Sequence, residues 1–471
     1  MEIRIDGKAI EAKEGETLMQ AALRHGIDIP HFCYHPSLST GGNCRMCLVK
    51  VAGMAKLMPA CNLPVAAKLE VETASAEVQR ARRDVMQFTM LNHPVDCGIC
   101  DKAGECRLQD HQDAHGAPRS RSSEPKHHKR KLHELTPRLQ LDNERCILCS
   151  RCVRFTREIS RSNLLGIVER GGHAYVERNP DGDASDAYSD NVVGLCPTGA
   201  LLSRDFLYKS RVWYLEPVRS VCNGCARGCS VNLWRRKKQW HLRSAGCEEA
   251  NRAIYRVTAP DDPAGGGAWL CNKGFDLHKA AARERALTPM IAGAAATLDE
   301  AMQAARSLLA LAQRPAALVS SQASSEELAA FQAALGARLK IYTRADCAAA
   351  PGEVVEDDIL IRADKNPNGY EVHARFGSVP LTAADARTHD LVVVWGEWTD
   401  YASLGDANVI HLSAYPPPRE PHPQVHIPLS TWMERDGTFV NFEGRRNRFE
   451  KVLEKPPLAA HAVDVFERLA P

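Results

Sequence analysis

The spacing of apolar side chains along the first ninety residues predicts a small α/β module followed by a longer helix. Apolar and polar positions alternate on either side of a tight turn at residues 6–7, which predicts a β-hairpin over residues 3–10. Residues 17–25 have the pattern of a short amphipathic helix, and residues 48–51 have that of a strand. Apolar side chains recur at helical spacing over residues 77–91, so we expect a helix there.

The C-terminal part of the chain has a different pattern, in which helical stretches alternate with short apolar runs. Helices are predicted over residues 298–313 and 326–335. The predicted strands are the apolar runs 316–319, 391–395, 409–412 and 425–429. This alternation is typical of an α/β domain with a parallel sheet. No glycine-rich phosphate-binding motif follows these runs, so no dinucleotide or P-loop site is expected.

Two segments without periodicity interrupt the chain. Residues 118–131 are basic and rich in serine, which indicates either a solvated surface loop or a docking patch for an acidic partner. Residues 259–267 are rich in glycine, proline and aspartate and are predicted to form a surface insertion.

Composition limits the class of protein. The 471 residues are 44% hydrophobic and 25% charged, as in an ordinary globular protein, and the length predicts three or more domains. A net charge of +2 gives no sign of a nucleic-acid partner. There is no signal-peptide pattern at the N-terminus and no run of about 18 apolar residues, so we expect neither export nor a membrane span. In the reducing compartment that this implies, cysteines in such numbers point to metal rather than to disulfides.

Of the 17 cysteines, all but Cys347 precede residue 272, and fifteen of them fall into four spaced groups, one of which opens with a histidine. Each group supplies four ligand candidates, the number that one iron–sulfur cluster needs. The groups are Cys33, Cys44, Cys47 and Cys61; His93, Cys97, Cys100 and Cys106; Cys146, Cys149, Cys152 and Cys196; and Cys222, Cys225, Cys229 and Cys271.

The spacing within each group predicts the kind of cluster. The long first gap of the first group favours a [2Fe–2S] cluster on a loop, whereas a four-cysteine zinc site would prefer two short CxxC pairs. One imidazole and three thiolates, as in the second group, suit a [4Fe–4S] cluster and also zinc. The third group has the CxxCxxC spacing of a bacterial [4Fe–4S] ferredoxin. In the fourth group, also predicted to hold [4Fe–4S], Cys247 competes with Cys271 for the last position, and the cysteine left over is expected to be a small core residue, as is Cys347.

Basic side chains adjoin several ligand candidates. Arg45, Arg145 and Arg151 are candidates to offset the negative charge of a thiolate-bound cluster. The alternative is that they are solvated surface arginines.

The chain closely resembles one known family, the large peripheral-arm iron–sulfur subunit of respiratory complex I (NADH–quinone oxidoreductase). The resemblance is dense over the first 210 residues, in the runs GNCRMCLVKV, HPVDCGICDKAGEC, ERCILCSRCVRF and LCPTGAL. It continues through CNGCARGC and WLCNKG, which are similar to a fourth [4Fe–4S] site of some bacterial members, and through MERDGTFVNFEGR. Two features depart from the family: the C-terminal α/β part is short, and the gap from Cys229 to Cys271 is long.

The resemblance implies a multidomain α+β fold in six parts. These are a β-grasp [2Fe–2S] ferredoxin-type module (1–75), a histidine-ligated [4Fe–4S] module (76–115), a basic linker (116–140), a ferredoxin-like [4Fe–4S] module (141–210), a further [4Fe–4S] subdomain (215–285) and a shortened α/β domain like that of molybdopterin oxidoreductases (286–471). No molybdopterin is expected, because no matching pterin-binding glycine loops are found.

The function that the resemblance implies is electron transfer within a proton-pumping NADH–quinone oxidoreductase. Electrons would come from a flavin/NADH-binding subunit and leave towards a two-cubane ferredoxin subunit, with other peripheral-arm subunits as neighbours. The chain would lie on the cytoplasmic face of the bacterial inner membrane, attached only through partners. We find no catalytic constellation on the chain itself, and no flavin or nicotinamide motif.

Two other functions remain open from the sequence. The first is an electron-transfer or diaphorase-type subunit of a hydrogenase or formate dehydrogenase, since such proteins share the first three modules. The second is a zinc-scaffolded interaction protein, which the CxxC pairs allow and the ferredoxin-like order of the groups disfavours.

Overall fold

The computed structural model describes residues 1–244, 246–260, 267–344, 347–397, 400–418 and 421–470. Most of the predicted insertion at 259–267 lies outside these residues. The chain divides into two compact units, Met1–Tyr214 and Leu215–Pro471. Among the described residues, no helix is both long and apolar enough to cross a membrane.

The N-terminal unit combines short strands with five helices. Its strands are β1 (Glu2–Ile5), β2 (Lys8–Glu11), β3 (Leu48–Val51), β4 (Met58–Pro59), β5 (Glu70–Glu72), β6 (His133–Glu134), β7 (Leu139–Leu141), β8 (Leu165–Val168), β9 (Tyr175–Arg178) and β10 (Leu201–Ser203). Its helices are α1 (Leu18–Arg24), α2 (Ala76–Met90), α3 (Arg107–His115), α4 (Arg151–Glu158) and α5 (Asn191–Leu195).

The first module is a mixed five-stranded sheet in the order β2-β1-β5-β3-β4, and α1 packs against it. The predicted hairpin is confirmed as β1 and β2, and β1 pairs in parallel with β5. Thr17 begins α1 with a capping box, in which its hydroxyl accepts a hydrogen bond from Gln20 N while the Gln20 side chain accepts one from Thr17 N. The cysteine loop follows α1 and precedes β3.

The rest of the N-terminal unit consists of small elements that support loops. The predicted helix over 77–91 is confirmed as α2. A three-stranded sheet, β10-β7-β6, and the hairpin of β8 and β9 follow it. Residues 118–131 form no helix or strand, but Lys126 Nζ donates to the carbonyls of Met90 (3.0 Å) and Leu91 (2.8 Å), so the segment is tied to the end of α2.

The C-terminal unit contains a large sheet and two smaller ones. Its strands are β11 (Leu215–Val221), β12 (Ser230–Arg236), β13 (Ile254–Thr258), β14 (Met290–Ile291), β15 (Ala294–Ala295), β16 (Pro315–Ser320), β17 (Lys340–Arg344), β18 (Leu391–Trp395), β19 (Asn408–Ser413), β20 (Val425–Pro428), β21 (Gly437–Val440) and β22 (Arg446–Phe449). Its helices are α6 (Glu248–Arg252), α7 (Asn272–Phe275), α8 (Leu277–Ala281), α9 (Leu298–Leu311), α10 (Ser325–Leu335), α11 (Gly369–Phe376), α12 (Ala383–Ala386) and α13 (Ala462–Leu469).

The large sheet has the order β15-β14-β20-β19-β18-β16-β17, and its strands from β20 to β17 pair in parallel. All four apolar runs predicted as strands are confirmed as β16, β18, β19 and β20. Apolar clusters cover both faces of the sheet, and the larger includes side chains of α9, α10 and α13. A parallel sheet buried on both faces explains why these strands read as continuous apolar runs. A separate antiparallel sheet, β11-β12-β13, frames the fourth cysteine group.

Two histidines on neighbouring strands are buried in this unit. Tyr401 Oη donates to His411 Nδ1 (2.7 Å), while His411 Nε2 donates to the carbonyl of Gly396 (2.8 Å), which fixes a neutral imidazole. Burial lowers the pKa of His411 to about 3 and that of His426 to about 4. The two rings lie 5.2 Å apart, so protonating either one disfavours protonating the other.

We expect the C-terminal unit to lose stability as the pH falls below 6.5. Below that pH the histidines of the unfolded chain become protonated, whereas the buried rings of the folded chain stay neutral. The free energy of unfolding should therefore drop by about 2 kcal/mol between pH 7 and pH 5 for each ring that stays neutral. Denaturant unfolding at the two pH values measures this. His426→Leu should reduce the drop, whereas His373→Gln, at an exposed position, should leave it unchanged. A wild-type stability that is equal at both pH values would contradict the prediction.

Candidate cluster-binding sites

The first group lies in the loop between α1 and β3 and in the turn after β4. Cys33, Cys47 and Cys61 are buried, and Cys44 is half-buried. Thiol hydrogen bonds from Cys44 and Cys61, with help from backbone amides, lower the pKa of Cys33 to about 2, and the same contacts raise the pKa of Cys44 and Cys61. A hydrogen bond with Cys61 lowers the pKa of Cys47 to about 7. The structure thus brings all four sulfur atoms together.

The third group lines a single cavity. Cys146, Cys149, Cys152 and Cys196 surround it together with apolar side chains such as Leu141 and Val176. Burial raises the pKa of Cys146 to about 12 and of Cys149 to about 11. Such buried thiols stay protonated alone, and they lose their protons when a positively charged metal centre compensates the charge.

The backbone of the CxxCxxC loop is shaped around these sulfurs. Leu148 and Ser150 have φ of 52° and 62°, in the left-handed region that non-glycine residues rarely occupy. Leu148 N donates to Cys146 Sγ (3.4 Å). Left-handed residues within a loop turn successive amides towards an anionic group, so this strain is consistent with a site for a negatively charged cluster.

The second group is brought together in part. Cys100 lies within electrostatic range of both Cys97 and Cys106, and Cys97 is exposed. His93 follows α2, its Nδ1 is buried without a hydrogen-bond partner, and burial lowers its pKa to about 4. A neutral imidazole with an unpartnered nitrogen has the chemistry of a metal ligand.

The second group is packed against the loop that carries Cys196. Gly199 is essential to that contact, because a Cβ there would lie 2.1 Å from Cys100 Sγ. Cys106 Sγ lies 3.7 Å from the carbonyl of Pro197. Only glycine fits at position 199 without moving Cys100.

The first three groups meet in one apolar cluster of the N-terminal unit. Cys33 and Cys149 are buried members of it, beside side chains such as Phe32 and Met86, and Cys106 packs against it. One ligand candidate from each of three groups therefore lies in a continuous water-poor region.

The fourth group lies in the C-terminal unit. Cys222 and Cys229 flank the turn between β11 and β12, and Cys271 immediately precedes α7. The charges that most strongly raise the pKa of Cys222, after burial itself, are those of Cys229, Cys271 and Cys225. Cys247, which begins α6, is not among them. Burial also raises the pKa of Cys271 to about 11.

We expect Cys271→Ala to cost about four irons and the signal of one [4Fe–4S] cluster, because this residue lies beside the other three sulfurs. Cys247→Ala is the matched control and should keep the full iron content. Iron and sulfide analysis with low-temperature EPR distinguishes the two. If Cys247→Ala lost the cluster and Cys271→Ala kept it, Cys247 would be the fourth ligand.

Among the described residues, no three histidine, cysteine or carboxylate side chains converge closely enough to hold a single metal ion. A cluster is a body of several iron and sulfide atoms, so its ligands stand around it rather than meet at one point.

Of the basic neighbours, Arg145 and Arg151 are buried, whereas Arg45 is exposed. Arg145 forms ion pairs with Asp96 (3.1 Å) and Asp142 (3.3 Å). A further buried arginine, Arg154, was not singled out by the sequence. The sequence signal that could have identified Arg154 is its position in the run SRCVRF, one helical turn after Ser150.

Three known domain families match the N-terminal unit. A 2Fe-2S iron-sulfur cluster binding domain matches residues 1–76, an NADH-ubiquinone oxidoreductase-G iron-sulfur binding region matches 82–121, and a ferredoxin-like domain of NADH-quinone oxidoreductase subunit 3 matches 136–202. The chain therefore contains 2Fe–2S and 4Fe–4S binding domains. The fourth group lies beyond these matches.

Relatives of known name agree with these domains. The chain is 34% identical to the NADH-quinone oxidoreductase G subunit of Streptomyces coelicolor, over 70% of this chain and 38% of that protein. It is 38% identical to the corresponding protein of Rickettsia typhi, over 49% of this chain and 34% of that protein. The aligned part thus spans little more than a third of these relatives. Among solved structures, a chain of an NAD+-reducing [NiFe]-hydrogenase is 30% identical with a TM-score of 0.41, over 45% of this chain and 90% of that chain.

Proposed function

From its similarity to the large iron–sulfur subunit of NADH–quinone oxidoreductases, we propose that this chain is an electron-transfer subunit of such a complex. It passes electrons from a flavin/NADH-binding subunit through iron–sulfur clusters towards a two-cubane ferredoxin subunit and quinone. It lies peripherally on the cytoplasmic face of the inner membrane and is attached through its partners.

One observation carries this proposal: Cys33, Cys106 and Cys149, from three different ligand groups, share one apolar cluster. Electron relay needs cofactors that lie close together and away from water. A zinc scaffold has no such need, because each zinc site stabilises its own segment.

In this proposal the four groups hold the clusters that the sequence predicts, one [2Fe–2S] and three [4Fe–4S]. When bound, the clusters supply one-electron redox chemistry. The chain's own residues ligate them, exclude water and set the charge around them. The matched domains support this for the first three groups, and the proximity of Cys271 to Cys222, Cys225 and Cys229 supports it for the fourth.

We also propose that the chain is divided into the six parts predicted from the sequence. Within it, residues 286–471 are a shortened molybdopterin-oxidoreductase-like domain that holds no molybdopterin. The sheet of five parallel strands between apolar layers supports an α/β domain of that general kind.

The test is to isolate the tagged chain from membranes of its own cell and identify the subunits that accompany it. We expect a flavin subunit and a two-cubane subunit, and we expect NADH to reduce the clusters in the preparation, as followed by EPR. Reduction by hydrogen or formate together with the corresponding catalytic subunit would instead assign the chain to a hydrogenase or formate dehydrogenase. A chain that carries no reducible cluster would overturn the proposal.

A further inference from the structure

Two buried arginines connect the first and third candidate sites. Arg151 and Arg154 lie on α4, the helix that also carries Cys152, and each is only 5% exposed. Arginine is rarely buried unless a partner compensates its charge. The groups that surround the positive charges of these two arginines therefore indicate their role.

Their hydrogen bonds go to carbonyl groups beside ligand candidates of both sites. Arg151 donates to the carbonyl of Tyr34, next to Cys33, and to that of Leu195 (3.3 Å), next to Cys196. Arg154 donates to the carbonyls of Cys33 and Ser39 and to Ser150 Oγ (3.3 Å). The two guanidinium groups thus tie the loop of the first site to the helix of the third.

Carbonyl groups satisfy N–H donors but do not neutralise a positive charge. None of the ion pairs among the described residues involves Arg151 or Arg154. Arg154 lies within electrostatic range of Glu158, whose two oxygens accept hydrogen bonds from Ser39. Arg151 Nε is buried without a hydrogen-bond partner.

The groups near Arg151 that become negative when a cluster is bound are the sulfurs of the two sites. They are Cys149 and Cys196 of the third group and Cys33 of the first, while Arg107 adds a further positive charge. Arg145, near the second group, differs because Asp96 and Asp142 already compensate it.

We propose that Arg151 and Arg154 are positioning residues that couple the first and third clusters, by holding the two sites together and by keeping positive charge between them that no carboxylate ion pair neutralises. This inference rests on the proposed function. When bound and reduced by its neighbour in the proposed relay, each cluster would gain one electron with no change in covalent bonding, and the two guanidinium groups would stabilise the added negative charge. Net charge and hydrogen bonding are known to set cluster potentials.

The test is a dithionite redox titration of the intact protein, followed by low-temperature EPR, with Arg151→Gln and Arg151→Lys. With glutamine, we expect the ratio of reduced to oxidised cluster at a fixed ambient potential to fall about tenfold for both the first and the third cluster, equivalent to ~59 mV for one electron. The second cluster should not shift. Lysine keeps the charge and should restore most of the ratio. Arg157→Gln, on the exposed face of the same helix, should change nothing.

Unchanged potentials in Arg151→Gln with both clusters present would overturn the inference, as would equal shifts with glutamine and lysine, which indicate a packing role alone. If Arg151→Gln fails to retain a cluster, Arg154→Gln and Arg154→Lys decide the question. Loss of a cluster in Arg154→Gln but not in Arg154→Lys supports the role of charge. Loss of a cluster in both variants contradicts it. Failure of the proposed function is distinguishable, because the wild-type protein would then show no cluster to titrate.

Discussion

Cys149→Ala is expected to remove about four of roughly fourteen irons and to stop electron flow beyond the first cluster. Cys149 lines the cavity of the third group and also lies in the apolar cluster beside Cys33. Its sulfur therefore belongs to the part of the third site that lies nearest the first. In the proposed relay the third site is the next step after the first, so its loss interrupts the route.

The measurements are iron and sulfide content, EPR and NADH-driven quinone reduction in the complex proposed above. The [2Fe–2S] signal should remain and still be reduced, while quinone reduction falls to background. Cys347→Ala is the control and should behave like wild type. Cys347 lies outside the four groups and is exposed, so the expectation that it is a core residue is wrong. Quinone reduction at the wild-type rate in Cys149→Ala would show that the third site is not on the route.

Phe331→Ala is expected to destabilise the C-terminal unit by about 3–5 kcal/mol, a large fraction of the 5–15 kcal/mol typical of a whole domain. Phe331 lies on α10, is fully buried, and contacts the rings of Trp395 (5.6 Å), Phe466 (5.3 Å) and Phe376 (6.0 Å between centroids). Its removal leaves a cavity at the centre of the packing between the large sheet and its helices.

The chain has two units, so a single unfolding midpoint does not describe it. Hydrogen exchange of β16, β18 and β19 reports on the C-terminal unit alone. These amides should exchange faster in Phe331→Ala, while amides of β1 and the EPR signals of the first three clusters stay as in wild type. Leu311→Ala, at a 75% exposed position, should change stability by less than about 0.5 kcal/mol. Equal protection of these strands in Phe331→Ala and wild type would contradict the assigned core.

Much of the local structure follows from the sequence, because it depends on near neighbours. The hairpin, α1, α2, α9, α10 and the four apolar strands lie within a few residues of their predicted positions. The strand β17 was missed, since its sequence KIYTR is partly charged and it pairs on one side only, at the sheet edge. The segment 118–131 was correctly expected to be irregular; its role as a docking patch stays a prediction.

The candidate sites show where sequence reasoning stops. Spacing groups the cysteines, since ligands of one loop are close in sequence. It does not reveal that Gly199 makes room for Cys100, or that Arg154 reaches the carbonyl of Cys33 across 121 residues. Those contacts depend on how modules pack against one another, and no local pattern encodes them.

The most direct test of the account is to count iron and acid-labile sulfide in anaerobically purified protein, with EPR on the reduced sample. We predict about fourteen irons with matching sulfide, in a brown protein that gives signals from one [2Fe–2S] and three [4Fe–4S] clusters. A folded, colourless protein that contains zinc instead, although iron was available during its synthesis, would contradict the account.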